Sequence, residues 1–211
     1  MSREIPILMS GPLVRATLAG QKTQTRRPIK RENKPDPGFE WAECLCREID
    51  PSDTPCATCA SRFPGLAAAG DRLWVRETWT AAMHEPKGPA DCLYRADDNR
   101  GVEDLAEARW TPSIHMPRWA SRITLPLASV RVERLQTISE TDSMAEGVIQ
   151  DPETGYWGVA GRPHRLSADD SDRLTARDAF TDCWKELYGQ ESWDANPWVW
   201  VAEWKEIEVS R

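Results

Sequence analysis

Between Gly20 and Pro28 the chain reads Lys22-Thr-Gln-Thr-Arg-Arg27, which gathers an amine, two hydroxyls and two guanidiniums within six residues. A lysine becomes a base only after losing its proton, so its pKa must fall through burial or nearby cations. Arg26 and Arg27 are such cations. A threonine hydroxyl is a weak nucleophile at its free pKa and needs a base beside it, a role that an amine can fill. A solvated basic turn is the competing reading, since charge runs are usually exposed.

Cys44-x-Cys46 and Cys56-x-x-Cys59 form a second constellation. Four thiolates with a knuckle-like Cys-x-x-Cys suit tetrahedral zinc. In a reducing compartment the spacing favours a metal over disulfides. Four cysteine ligands leave no open position for water, so such a zinc is structural. Four unligated thiols in a loop are the alternative. Cys92 and Cys183 read as core cysteines.

The elements that must position these groups follow from periodicity. Ile5–Met9 is a short apolar strand. Pro12 suits a first helical turn, and Leu13, Val14, Thr17 and Leu18 give one apolar face, so a helix over 12–19 is expected. Gly20 can adopt the left-handed conformation that ends it. The basic run then reads as a tight loop. Leu73–Glu77 and Cys92–Arg95 are expected strands. Arg122–Thr137 alternates, with Pro126 and a phase change after Leu127 that predict a bend or bulge. Ser139 caps a short helix that carries Glu140 and Asp142 in its first turn, where acids suit the helix dipole, and Gly147 closes it. Residues 149–172 read as a polar loop. Thr175–Tyr188 is a helix with Ala179, Phe180, Cys183, Trp184 and Leu187 on one face. Trp198–Val209 is a last strand. This mixture is an α+β pattern.

Composition narrows the partners. The net charge of −7 comes from 27 basic and 34 acidic residues, which argues against a broad duplex-gripping surface. A local basic patch, Lys22 to Arg31, fits a single nucleoside or a short single strand better. Of the 11 tryptophans most belong to packing. Trp110 and Trp119 flank the Pro-Ser-Ile-His-Met-Pro loop and are candidates for base stacking, beside Ser113, His115 and Arg118. No run is apolar enough for a membrane span and the sequence shows no signal peptide, so a cytoplasmic protein is expected.

Gly20-x-Lys22-x-x-Thr25-x-Arg27 resembles the signature loop of the ASCH family, small β-barrel relatives of the PUA RNA-binding domain. Lysine and threonine three apart look like the bacterial N4-acetylcytidine amidohydrolases, in which a lysine, a threonine and a downstream glutamate are catalytic. The broader family often has an acidic residue where Thr25 stands. Gly70–Trp79 looks like the family's "Gly-Asp, then strand" segment. Trp110–Ile123 is similar to a segment of phage-encoded members, which suggests a phage or prophage source. Ile138–Gly147 resembles the helix carrying the glutamate, here Glu146. The segments run in family order. Residues 32–69 and 149–172 are insertions relative to the smallest members.

The resemblance implies a single domain over 1–211, a small PUA-like β-barrel of five to six strands with flanking helices and a Cys-rich insertion. It implies hydrolysis of the amide of an N4-acylated cytidine. Thr25, or a water that it holds, attacks; Lys22 is the base; Glu146 handles protons. Arg26, Arg27, His115, Arg118 and Trp119 are expected to bind substrate, in one cleft with the 149–172 loop. The partner is a modified nucleoside or single-stranded nucleic acid, with no membrane or protein partner expected. Three alternatives stay open: a structural Lys22–Glu146 ion pair, a binding module without catalysis, and a ribonuclease, an activity found among ASCH relatives.

Overall fold

The computed structural model describes residues 2–29, 67–82, 85–97, 109–160 and 175–210. The four cysteines proposed for zinc lie outside them. The described residues form ten strands and four α-helices. In chain order these are β1 Glu4–Leu8, α1 Gly11–Leu18, β2 Gln24–Pro28, β3 Arg72–Arg76, β4 Trp79–Ala81, β5 Cys92–Tyr94 and β6 Ile123–Arg134. There follow α2 Glu140–Ala145, β7 Val148–Gln150, β8 Trp157–Val159, α3 Ala176–Tyr188, α4 Gln190–Asp194, β9 Trp198–Trp204 and β10 Glu208–Val209.

The main sheet has the order β1-β3-β6-β9-β2, with β10 also on β6. β1 and β3 run parallel; the other pairs are antiparallel. β6 is the spine. Its first residues pair with β3, Leu73 opposite Leu125, and its later ones with β9, Val132 opposite Trp200. The register shifts between Leu127 and Ser129, at the phase change visible in the sequence. An extra residue there bends the strand, so one strand serves two ladders.

The fold is α+β, as expected, but the sheet is open among the described residues. No ladder joins β1 to β2. That gap is spanned by a side chain, Arg27 Nη2 donating to the Leu8 carbonyl at 2.7 Å.

Two corrections concern loops. The basic run is not a loop beyond Thr23: Gln24–Pro28 is β2, paired along its length with β9. Charged residues can enter a strand there because carboxylates meet them. Residues 148–159 are not loop alone, since β7 and β8 make a hairpin.

Two apolar clusters lie on opposite sides of β9. Ala202 and Trp204 join Ile7, Leu73, Ile123 and Leu125 in the first; Trp200 and Val130 pack against it. Val199 and Val201 join Leu135 and the α3 residues Ala176, Ala179, Phe180 and Trp184 in the second. Alternation along β9 separates the clusters. The α3 side chains repeat at helical spacing, with Thr175 capping the helix by accepting from the Asp178 amide. No helix of the described residues is long and apolar enough to cross a membrane.

Candidate functional site

β2 and its neighbours divide the predicted site between two faces. In an antiparallel ladder, residues directly opposite share a face. Gln24 faces Glu203, and Arg26 faces Val201, which in turn faces Arg131. This is the helix-covered face. Thr25 faces Ala202 and Arg27 faces Trp200. This is the inner face, toward the first cluster.

Lys22 belongs to the helix-covered side. It is 2% exposed and bridges to Glu146. Its Nζ donates to the Gln24 carbonyl (2.7 Å), the Glu146 carbonyl (2.9 Å) and Glu146 Oε2 (3.0 Å). An ammonium has three donors, so all are used. Glu146, 8% exposed, accepts from Arg26 Nη1 on its other oxygen at 3.1 Å. Arg26 Nε and Nη2 both reach Glu133 Oε1. Arg131 Nη2 donates to Asp142 Oδ1 at 2.7 Å and its Nε to Glu133 Oε2 at 3.2 Å. Gln24 closes the net by donating to the Asp142 carbonyl at 2.9 Å.

Local sequence explains how the parts meet. Ser139 caps α2 through the Asp142 amide, which sets Asp142 in the first turn beside Arg131. Glu146 is the residue after the last turn. Gly147 has φ of +94° and a Cβ added there would lie 3.3 Å from Lys22 Cβ. Glycine therefore serves both the left-handed backbone and the close approach of the lysine.

Burial pulls the Lys22 pKa down; the Glu146 charge and hydrogen bond push it back up, and Arg27 adds to the fall. The net direction is down, as a base requires. Asp142 is held below the usual carboxylate range: burial raises it, but the Ser139 hydrogen bond and the charges of Arg26 and Arg131 outweigh that.

The inner face is different. Thr25 is 4% exposed, and its hydroxyl makes no hydrogen bond among the described residues. Arg27 Nε and Trp204 Nε1 are buried with no partner. All three groups lie on one face of the β2–β9 ladder, since the Trp204 amide binds the Thr23 carbonyl one pair along. Buried polar groups almost always find partners, so the two unpartnered donors, Arg27 Nε and Trp204 Nε1, stand out on this face.

The structure thus joins Lys22, Glu146 and Arg26, and turns Thr25 and Arg27 to the other side of β2. No hydrogen bond links Thr25 to Lys22 or Glu146. The remaining predicted binding residues sit around β3. Arg118 forks onto both oxygens of Glu4 (2.8 and 2.9 Å) and lies over the Trp74 ring at 5.8 Å. Trp119 meets Trp79 edge to face with centroids 5.4 Å apart. His115 is exposed in a 3-10 turn. None of these contacts reaches Lys22. Among the described residues no group of three or more His, Cys, Asp or Glu could hold a metal ion.

Gln24, Arg131, Glu133, Asp142 and Trp204 were missed from sequence. Lys22, Gln24 and Arg26 at every second position carried the signal, as did Arg131 and Glu133, but only to a reader who took the basic run as a strand. No family model, no curated protein and no solved structure matches this chain.

Proposed function

We propose that this chain is a recognition protein of ASCH type, with PUA-like architecture, that takes a modified nucleoside or a short single strand against its inner face. The observation that carries this reading is the pair of buried, unpartnered donors there, Arg27 Nε and Trp204 Nε1, with the Thr25 hydroxyl as a third polar group on the same face. Two of the three are donors only, and the hydroxyl can do either. Such a row suits a base edge rich in acceptors, as the O2 and N3 of cytosine are. Trp200, directly opposite Arg27, offers an aromatic surface beside it. The ammonium and carboxylates of the helix-covered side hold β2 in place behind the ligand.

The test is a titration of cytidine, N4-acetylcytidine and a short single-stranded RNA, read by tryptophan fluorescence and calorimetry. Thr25→Val and Arg27→Met should each weaken binding by roughly tenfold, the value of one hydrogen bond to a group that is otherwise left unpaired, with the fold intact by circular dichroism. A protein that binds none of the three probes sinks the reading.

A second reading is hydrolysis of an N4-acylated cytidine, and the lowered pKa of buried Lys22 favours it. Lys22 as the free amine takes a proton from water. The hydroxide adds to the acyl carbon, Glu146 relays to N4 the proton that Lys22 took from water, and the bond to N4 breaks to leave the free amine and a carboxylic acid. The substrate in this scheme lies on the helix-covered side of β2, with Lys22 and Glu146, and not at Thr25. Lys22 must first give up acceptors that now use all three of its donors. Release of carboxylate from N4-acetylcytidine, lost in Lys22→Met, supports it; binding without product leaves recognition alone. Cut RNA would point to a ribonuclease instead.

A further inference from the structure

We propose that the cavity between the start of α1 and the residues after β5 is a site for a phosphate monoester. The cavity measures about 240 Å³ and is lined by Gly11, Pro12, Arg15, Thr78, Arg95 and Ala96. That is several times the roughly 30 Å³ share of one water molecule, and it is too small for a duplex. Two exposed arginines, Arg15 and Arg95, line it. Arg15 uses one N–H on the Ala96 carbonyl at 3.1 Å, which fixes its direction and leaves the rest of its fork free. Arg95 makes no side-chain hydrogen bond or ion pair among the described residues. No carboxylate pairs with either of them there.

That absence of neutralisation is unusual for a chain of net charge −7. The carboxylates nearest in sequence are Glu77, next to Thr78, and Asp97, next to Ala96. Both are committed elsewhere. Arg122 holds Glu77 at 2.9 and 3.1 Å and Asp97 at 2.7 and 2.8 Å. Among the described residues, Arg122 thus draws these two acids away from the cavity. Two planar forks lining one half-open hollow suit a doubly charged oxyanion. Thr78 adds a hydroxyl for a third side of the tetrahedron.

Phosphate monoester is the shared chemistry of a free nucleotide and of the 5′ end of a strand. The site stands independently of the inner-face reading, which concerns a base edge. Inorganic phosphate, CMP against cytidine, and a 5′-phosphorylated against a 5′-hydroxyl oligonucleotide are titrated into the full chain by calorimetry. Phosphate should bind. The phosphorylated member of each pair should bind about tenfold more tightly or better, as expected of charge-assisted bidentate contacts. A preference confined to the strand identifies the 5′ end as the source; one confined to CMP identifies the nucleotide. Arg15→Gln and Arg95→Gln should each remove most of the preference without changing the circular dichroism, and Thr25→Val should leave it intact. Equal affinity for both members of both pairs overturns the proposal. So does a preference that survives in Arg15→Gln/Arg95→Gln, because the phosphate would then be bound elsewhere.

Discussion

Replacing Glu146 by glutamine tests the buried network most directly. The substitution keeps the shape and an acceptor oxygen for Lys22, and removes one charge. Lys22, only 2% exposed, is then left with the Gln24 and residue-146 carbonyls at 2.7 and 2.9 Å and no carboxylate. Arg26 keeps Glu133. The uncompensated charge is therefore the lysine's. Breaking a buried pair from one side costs about 3–5 kcal/mol, and the retained amide oxygen argues for the lower end. The loss must also depend on pH. Burial already holds the folded Lys22 pKa below the usual 10.5. Removing Glu146, which raises that pKa, lowers it further. Between the folded pKa and 10.5 the unfolded chain binds the extra proton, so stability rises with pH across that window. The window opens earlier in the variant. The gap to wild type should thus be about 3 kcal/mol at neutral pH and should narrow as pH climbs toward 10. Urea unfolding followed by tryptophan fluorescence at several pH values measures both. A loss below about 1 kcal/mol, the value of an exposed pair, refutes the argument, as does a gap that does not change with pH.

Three further outcomes are expected. Asp71 accepts from the Arg3 amide and side chain and from the Ala68 amide; burial pushes its pKa up, but these bonds hold it below 3.8. Its stabilisation is present above 3.8 and lost as pH falls through the folded pKa, so Asp71→Asn should cost about 1–3 kcal/mol at neutral pH, with the difference shrinking in acid unfolding titrations. Gly147→Ala should cost about 1–3 kcal/mol through its positive φ, with the added Cβ also 3.3 Å from Lys22 Cβ, and a thermal melt measures that loss. Metal analysis should find about one zinc per chain on Cys44, Cys46, Cys56 and Cys59, with chelation leaving the β6-centred sheet folded; absence of zinc, with four freely reacting thiols, removes that site.

Several elements were legible in sequence because their signals are local. Pro12 and Gly20 bracket α1, Ser139 caps α2, and Thr175 and Gly189 bound α3. The bend in β6 showed as a break in alternation at Leu127. Other features depend on distant partners. β2 looked like a loop because Arg26 and Arg27 are charged, and only Glu133 and Glu146, more than a hundred residues on, make the burial of Arg26 possible. The division of Lys22 from Thr25 is a matter of strand parity, which a loop assignment conceals. The link from Arg27 to the Leu8 carbonyl, in place of a ladder, leaves no trace in either segment.

The placement of β2 also sets the order in which the protein can assemble. Among the described residues β1 finds its partner only in β3, across the cysteine-bearing segment, and β2 only in β9, far along the sequence. Pairings between remote segments are slow to form, and chains emerge from synthesis N-terminus first. Lys22, Thr25 and Arg27 are thus made early and positioned late. Until β9 docks, β2 has no ladder to hold Arg26 in place and Thr25 has no Ala202 opposite it. Acquisition of the site is a readout of the finished sheet, so ligand binding should appear in a refolding experiment with the last phase, after α3 has gained its helical signal.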